Sequence, residues 1–214
     1  METVNLGYDH LLFMPSNYNT TQDYQVKGSK FDDRVYTFGG NDLLKGGCGD
    51  DFLWTGSGDD TVRGGCGRDI ILGGSGDDRL FGGRGDDLIA AGDGNNLLKG
   101  GCGHDRITIN GDWGNNKLDG GTGNDVFTVL TMKGENRVWG GAGADTLRVA
   151  PYGSRTNFID FVYGEDVIEV VGVSSNDVTV RCGDVFYKEL KVVQTSYNAL
   201  TVDDLVFSST STIG

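Results

Sequence analysis

Side-chain oxygens suited to holding a hard cation recur along this chain at Asp33, Asp42, Asp51, Asp60, Asp69, Asp78, Asp87, Asn96, Asp105, Asn116, Asp125, Asn136 and Asp145. Most intervals are nine residues, and two stretch to eleven. If alternate units fall on opposite edges of a coil, those eighteen residues apart become stacked neighbours about 4.8 Å apart. Like charges that close repel unless a cation sits between them. Asp and Asn oxygens joined by main-chain carbonyls make an all-oxygen cage, which suits Ca²⁺ better than Zn²⁺. The candidate ligands are Asp33, Asp42, Asp51, Asp60, Asp69, Asp78, Asp87, Asn96, Asp105, Asp125 and Asp145.

The elements that must position them follow from the same period. Units such as GGCGDDFLW (46 to 54) and GGSGDDRLF (73 to 81) abut without a gap, and thirteen units run from Gly28 to Arg148. Position eight is always apolar: Val35, Leu44, Leu53, Val62, Ile71, Leu80, Ile89, Leu98, Ile107, Leu118, Phe127, Val138 and Leu147. Position four is Gly in every unit but the first, which has Phe31. The pattern predicts a short strand at positions seven to nine, whose middle residue alone points inward because side chains alternate across a strand. Positions one to six form a turn in which glycine reaches positive φ. The fold class is therefore all-β, a right-handed parallel β-roll with one elongated domain at 28 to 148, flanked by end segments at 1 to 27 and 149 to 214.

With these residues the chain resembles the RTX (repeats-in-toxin) calcium-binding proteins, whose glycine-rich nonapeptide builds a β-roll. The resemblance implies several bound Ca²⁺ and release from the cell by the type I secretion machinery, which reads an uncleaved C-terminal segment. METVNLGYDH carries no basic, apolar leader of the cleaved type. TVDDLVFSSTSTIG (201 to 214) is acidic, apolar and hydroxyl-rich, as such a signal would be, and equally fits a frayed polar tail. NFIDFVYGEDVIEV (157 to 170) resembles the segment that follows the repeats in this family. It is expected to cap the last rung, since an open sheet edge templates aggregation. Residues 1 to 27 are expected to cap the other end or lie along the roll. Asp160, Glu165 and Asp166 are either a further cation site or solvated turn carboxylates.

The two edges differ. Edge B has Asp33, Asp51, Asp69, Asp87, Asp105, Asp125 and Asp145, whereas edge A has Asp42, Asp60 and Asp78 and then Asn96, Asn116 and Asn136. Exchanging Asp for Asn removes a charge, so sites on edge A are expected to weaken or vanish after Asp78. The two-residue insertions also fall on edge A. The sheet fed by edge A, sheet A, presents Lys45, Arg63, Arg79, Lys99, Lys117 and Arg137 outward. They are either a ladder for an anionic polysaccharide or cell surface, or simple solvation. Sheet B presents Phe52, Trp54, Ile70, Leu72, Leu88, Ala90 and Val126, an apolar face that signals a contact. The simplest cover is the Leu11 to Met14 segment or the C-terminal block, and the alternative is a partner subunit or a membrane surface.

A net charge of −13 with 37 Gly among 214 residues argues against nucleic acid and towards cations. No apolar run approaches the ~18 residues of a transmembrane span. Cys48, Cys66 and Cys102 share position three on edge B. Cys48 and Cys66 are one rung apart and within disulfide reach, or are free thiols; Cys182 has no assigned partner. The only histidines are His10 and His104. No HExxH or GxSxG occurs, and the repeat accounts for the paired carboxylates without catalysis. The expected function is a non-enzymatic, secreted, extracellular calcium-binding roll, disordered in the low-calcium cytosol and folded after export. The rivals are a polyanionic-polysaccharide module like those of alginate epimerases and a cell-surface adhesion or ice-contacting protein. The last requires a regular Thr/Asn row, but GTGND occurs only at 121 to 125.

Overall fold

The structure is a computed structural model that describes residues 1–7, 12–13, 21–131, 133–150, 155–162, 165–172, 178–181, 184–187, 190–195 and 200–208. His10, Leu11, Met14, Cys182 and residues 209–214 lie outside the described residues. Apart from a 3-10 turn at Val202–Asp204, the described elements are strands, and they coil into a β-solenoid of two sheets. Among the described residues sheet A has twelve strands and sheet B ten, and up to Val167–Val171 consecutive strands alternate between them.

Within the repeats, neighbours in a sheet run parallel and match residues eighteen apart: Leu53 pairs with Ile71, and Ile71 with Ile89. Where the long units intervene the partners are twenty apart, as Leu98 with Leu118 and Ile107 with Phe127. The insertions are thus absorbed in the turns, and the apolar column stays in register. A slip by one residue would turn every buried side chain outward.

All thirteen position-eight residues are fully buried. The strands are longer than the pattern suggests: Leu43–Cys48 and Thr61–Cys66 each take in the first three residues of the next unit. Position one therefore faces inward as well, so position eight is not alone there. The Gly pairs remain in the ladder, with Gly47 opposite Gly65 and Cys48 opposite Cys66. Over most of the roll each strand buries one large side chain, joined by Ile109, Val129 and Val149 further along, so the core is thin, and Ile71→Ala is expected to cost roughly 2–5 kcal/mol. Denaturant titration in saturating calcium would show the shift.

Stacking continues past both ends of the repeat. Tyr24–Lys27 pairs with Leu43–Cys48, and Glu2–Asn5 lies outside it. Leu12–Phe13 pairs in parallel with Arg34 and Val35, so it lengthens sheet B rather than covering its outer face. The C-terminal strands do likewise. Val167–Val171 and Leu205–Ser208 extend sheet B, and Arg155–Phe158 and Leu190–Thr195 extend sheet A. Sheet A then closes with two antiparallel strands, Asp184–Tyr187 and Val178–Arg181. The expected cover of sheet B is therefore corrected for the described residues: Leu12, Phe13 and the C-terminal strands take up open edge hydrogen bonds instead of lying on the apolar face. Ile70 and Leu88 stay 38% and 40% exposed. Tyr36, Phe38, Phe52 and Trp54 pack on one another, with ring centroids 5.2 to 6.5 Å apart.

The basic residues of sheet A do not form one continuous ladder. Lys45 and Arg63 are neighbours, but Phe81 follows, with Arg63 stacked 5.1 Å over its ring. Lys99 is tied to Asp119 at 2.8 Å.

Candidate metal centres

Each position-six side chain is carried inward at the start of a strand, and the Asp and Asn residues of both columns are almost completely buried. One oxygen is spent on the main chain of the rung before it. On edge B the Asp51 N–H donates to Asp69 Oδ1, Asp69 N–H to Asp87 Oδ1 and Asp87 N–H to Asp105 Oδ1, each at 2.8 Å. On edge A, Asp42 N–H donates to Asp60 Oδ1 at 2.7 Å and Asp60 N–H to Asp78 Oδ1 at 3.0 Å.

The second oxygen is the informative one. Oδ2 of Asp42, Asp60 and Asp78 on edge A, and of Asp51, Asp69, Asp87, Asp105, Asp125 and Asp145 on edge B, is buried without a hydrogen-bond partner. An unpaired buried acceptor costs about 1–3 kcal/mol, and more when charged. Thr37 and Thr55 hydroxyls stand beside Asp42 and Asp60 but donate to the Thr55 and Gly73 carbonyls. Their nearness lowers the pKa of both carboxyls, although neither Oδ2 gains a hydrogen bond of good geometry.

Without a counter-charge, burial lifts these carboxyls above the usual range, against the pull of the main-chain hydrogen bonds they accept and, at Asp42 and Asp60, of the Thr37 and Thr55 hydroxyls. Asp51, Asp60, Asp78 and Asp87 rise to about 7. Asp69, Asp105, Asp125 and Asp145 rise to about 6. Burial also raises Asp42.

A bare Cα lets each orphaned oxygen of edge B pack close against the main chain. A Cβ built on Gly64 would come within 2.2 Å of Asp69 Oδ2 and 2.8 Å of the Gly82 carbonyl oxygen. On Gly82 it would come within 2.2 Å of Asp87 Oδ2 and 2.8 Å of the Gly100 oxygen. A carboxylate oxygen and a carbonyl oxygen thus face the same glycine, rung after rung. Gly67 serves the turn differently: its φ is +120°, and a Cβ there would meet the Gly49 oxygen at 2.1 Å. Among the described residues no three His, Cys, Asp or Glu side chains converge. The donor set is carboxylate plus carbonyl, which fits a hard cation and not a thiolate or imidazole metal.

Four position-six residues are built differently. Asp33 Oδ2 accepts the Ser29 N–H at 2.7 Å. Asn96 Nδ2 donates to the Gly92 and Gly94 carbonyls at 3.2 and 3.3 Å. Asn116 Nδ2 donates to Asn136 Oδ1 at 2.9 Å, and Asn136 Nδ2 to Thr131 Oγ1 at 3.0 Å. Beyond the repeats, Asp160 accepts from the Gly140 and Gly141 N–H groups. Asp166 Oδ1 accepts from Asp145 N–H and its Oδ2 from Val162 N–H.

A second ladder escaped the sequence reading. Position five lies at the surface, and its side chain accepts the N–H of the following rung. Asp50 N–H donates to Asp32 Oδ1, Arg68 N–H to Asp50 Oδ1 and His104 N–H to Asp86 Oδ1. The Asn124 N–H donates to His104 Nδ1 at 2.8 Å, so this histidine stands in for a carboxylate. The signal was present as the D/N bias at that position, visible at Asp32, Asn41, Asp50, Asp59, Asp77, Asp86 and Asn95.

Cys48, Cys66 and Cys102 are free, with Arg84 between the last two in register. The Cys66 thiol beside it pushes the Cys48 thiol above its ordinary value.

A family model described as the RTX calcium-binding nonapeptide repeat (4 copies) matches residues 25–53, 36–71, 72–107, 108–127 and 128–149. No curated protein matches the chain.

Proposed function

Because the chain belongs to the RTX calcium-binding nonapeptide-repeat family, whose ligand is calcium, we propose that it is a non-enzymatic extracellular β-roll that folds when calcium fills its edges. The nine buried Oδ2 atoms without a partner carry this reading. Asp51, Asp69, Asp87, Asp105, Asp125 and Asp145 would hold the ions of edge B, and Asp42, Asp60 and Asp78 those of edge A. Calcium would supply the positive charge that these oxygens and the facing carbonyls lack.

The chain's own residues set the terms of that binding. The position-one glycines let the carboxylates pack close against the backbone, each Oδ1 fixes its carboxylate against the preceding rung, and position eight excludes water from the interior. With affinities of extracellular type, about 10⁻⁴ M, calcium near 10⁻³ M contributes RT ln(1 + [Ca]/Kd), about 1.4 kcal/mol per site. Several such sites reach the ~5–15 kcal/mol stability of a whole domain. A cytosol poor in calcium would therefore leave the chain unfolded and fit for export through type I machinery, and the outside would fold it.

Calcium titration of the stripped protein tests the reading. Saturable uptake of several ions, in step with a rising β circular-dichroism signal, is expected. A chain that takes up no calcium at millimolar concentration overturns it.

A further inference from the structure

Edge A changes its chemistry between Asp78 and Asn96 while its geometry continues. The Asp60 N–H donates to Asp78 Oδ1 at 3.0 Å, and the Asp78 N–H donates to Asn96 Oδ1 at the same distance. That shared bond fixes which way the amide faces. With Oδ1 occupied by an N–H, the NH₂ of Asn96 must point where Asp78 directs its orphaned Oδ2.

There it donates to two carbonyls of its own turn, Gly92 and Gly94. A carbonyl oxygen that accepts an amide hydrogen is lost to a cation, and the partial positive charge of the NH₂ group repels one. Asn116 passes its amide hydrogen to Asn136, and Asn136 passes its own to the Thr131 hydroxyl. None of the three asparagines has an unpartnered buried polar atom, whereas Asp105, Asp125 and Asp145 across the same rungs each have one.

We propose that Asn96, Asn116 and Asn136 take the place of calcium, so that edge A between Gly92 and Trp139 is a metal-free amide seam opposite a calcium-requiring edge. The same substitution bounds edge B. At its two ends the N–H four residues upstream, of Ser29 for Asp33 and of Val162 for Asp166, occupies the oxygen that elsewhere stays bare. The calcium rows thus run from Asp51 to Asp145 on edge B and stop at Asp78 on edge A. Asn96 and Asp33, although on the register of the ligands, hold no ion.

The inference rests on the calcium reading, and ion counting separates the two. Calcium bound at saturation is measured by equilibrium dialysis and elemental analysis on the full chain and on Asn96→Asp, Asp78→Asn, Asn136→Ala and Asp69→Ala. Wild-type uptake tests the calcium reading; the differences between variants test the seam. Asn96→Asp is expected to gain one ion, Asp78→Asn and Asp69→Ala to lose at least one, and Asn136→Ala to lose none. A gain of an ion is an outcome that mere disruption of the turn cannot imitate. If Asn96→Asp folds in calcium with an unchanged count, or Asn136→Ala loses as many ions as Asp69→Ala, the seam is refuted. If Asn96→Asp does not fold, the contrast between Asn136→Ala and Asp69→Ala decides alone.

Discussion

Stripped of calcium by excess chelator at pH 8, the protein is expected to lose most of its β circular-dichroism signal, and to regain much of it when the same solution is brought to pH 5. The argument lies in the position-six carboxyls, which burial raises to about 6 or 7 in the calcium-free roll. In the unfolded chain they titrate near their ordinary value of 3.8. A carboxyl whose pKa is raised by folding binds its proton more tightly in the native state. Its contribution is therefore fully present below the unfolded pKa and is lost as the pH climbs through the folded one. Between pH 4 and 7, then, protons do in part what calcium does at neutral pH. Protons and calcium compete for the same oxygens, so calcium affinity should fall as the pH drops from 7 to 5. A chelated chain that keeps its β signal at pH 8, or one that unfolds further on acidification, would contradict this account.

The second large effect is expected from a single methyl group. Gly64 has an ordinary backbone conformation, so Gly64→Ala adds no φ strain, yet its Cβ would sit 2.2 Å from Asp69 Oδ2 and 2.8 Å from the Gly82 oxygen. Backbone on one side and a clamped carboxylate on the other leave little to yield. Overpacking of this kind costs about 1–3 kcal/mol, and loss of one ion at ten times its Kd adds about 1.4 kcal/mol. The variant should need more calcium to fold and should bind at least one ion fewer. Gly7→Ala is the control, since nothing lies within 4 Å of a Cβ built there. Equal calcium midpoints for the two variants would show that the close packing of Asp69 on Gly64 is not needed for its carboxylate to bind the cation.

Much of the fold could be read from position eight, because thirteen apolar residues at one phase admit only one side of a strand to the interior. The pairing of residues eighteen apart followed from the same count, and the observed register repeats it from Leu44 and Val62 onwards. What the period could not convey was how hydrogen bonds are shared between rungs. Position one turned inward because an extended Gly pair can remain in a ladder, a property of backbone and not of any side chain. The difference between Asp78 and Asn96 was visible as a change of charge, but the two carbonyls that Asn96 engages belong to its own turn and emerge only in three dimensions. Leu12 and Phe13 were read as an apolar lid because hydrophobicity was their sole signal. Parallel pairing with Arg34 and Val35 depends on an open edge that no local pattern records.

The two side-chain ladders of each turn run in opposite senses. Position six of a later rung serves the N–H of an earlier one, and position five of an earlier rung serves the N–H of a later one. A rung arriving at either end of a growing roll therefore both gives and receives one such bond per turn. These two ladders give the assembly front no intrinsic direction: a rung added at either end gains the same pair of side-chain bonds. The finishing pieces distinguish the ends, with Asp23 holding the Asn41 N–H at one and Asp160 and Asp166 closing the other, and so does edge A, whose bare carboxylates stop at Asp78. A chain delivered end-first into calcium can thus fold from whichever terminus emerges.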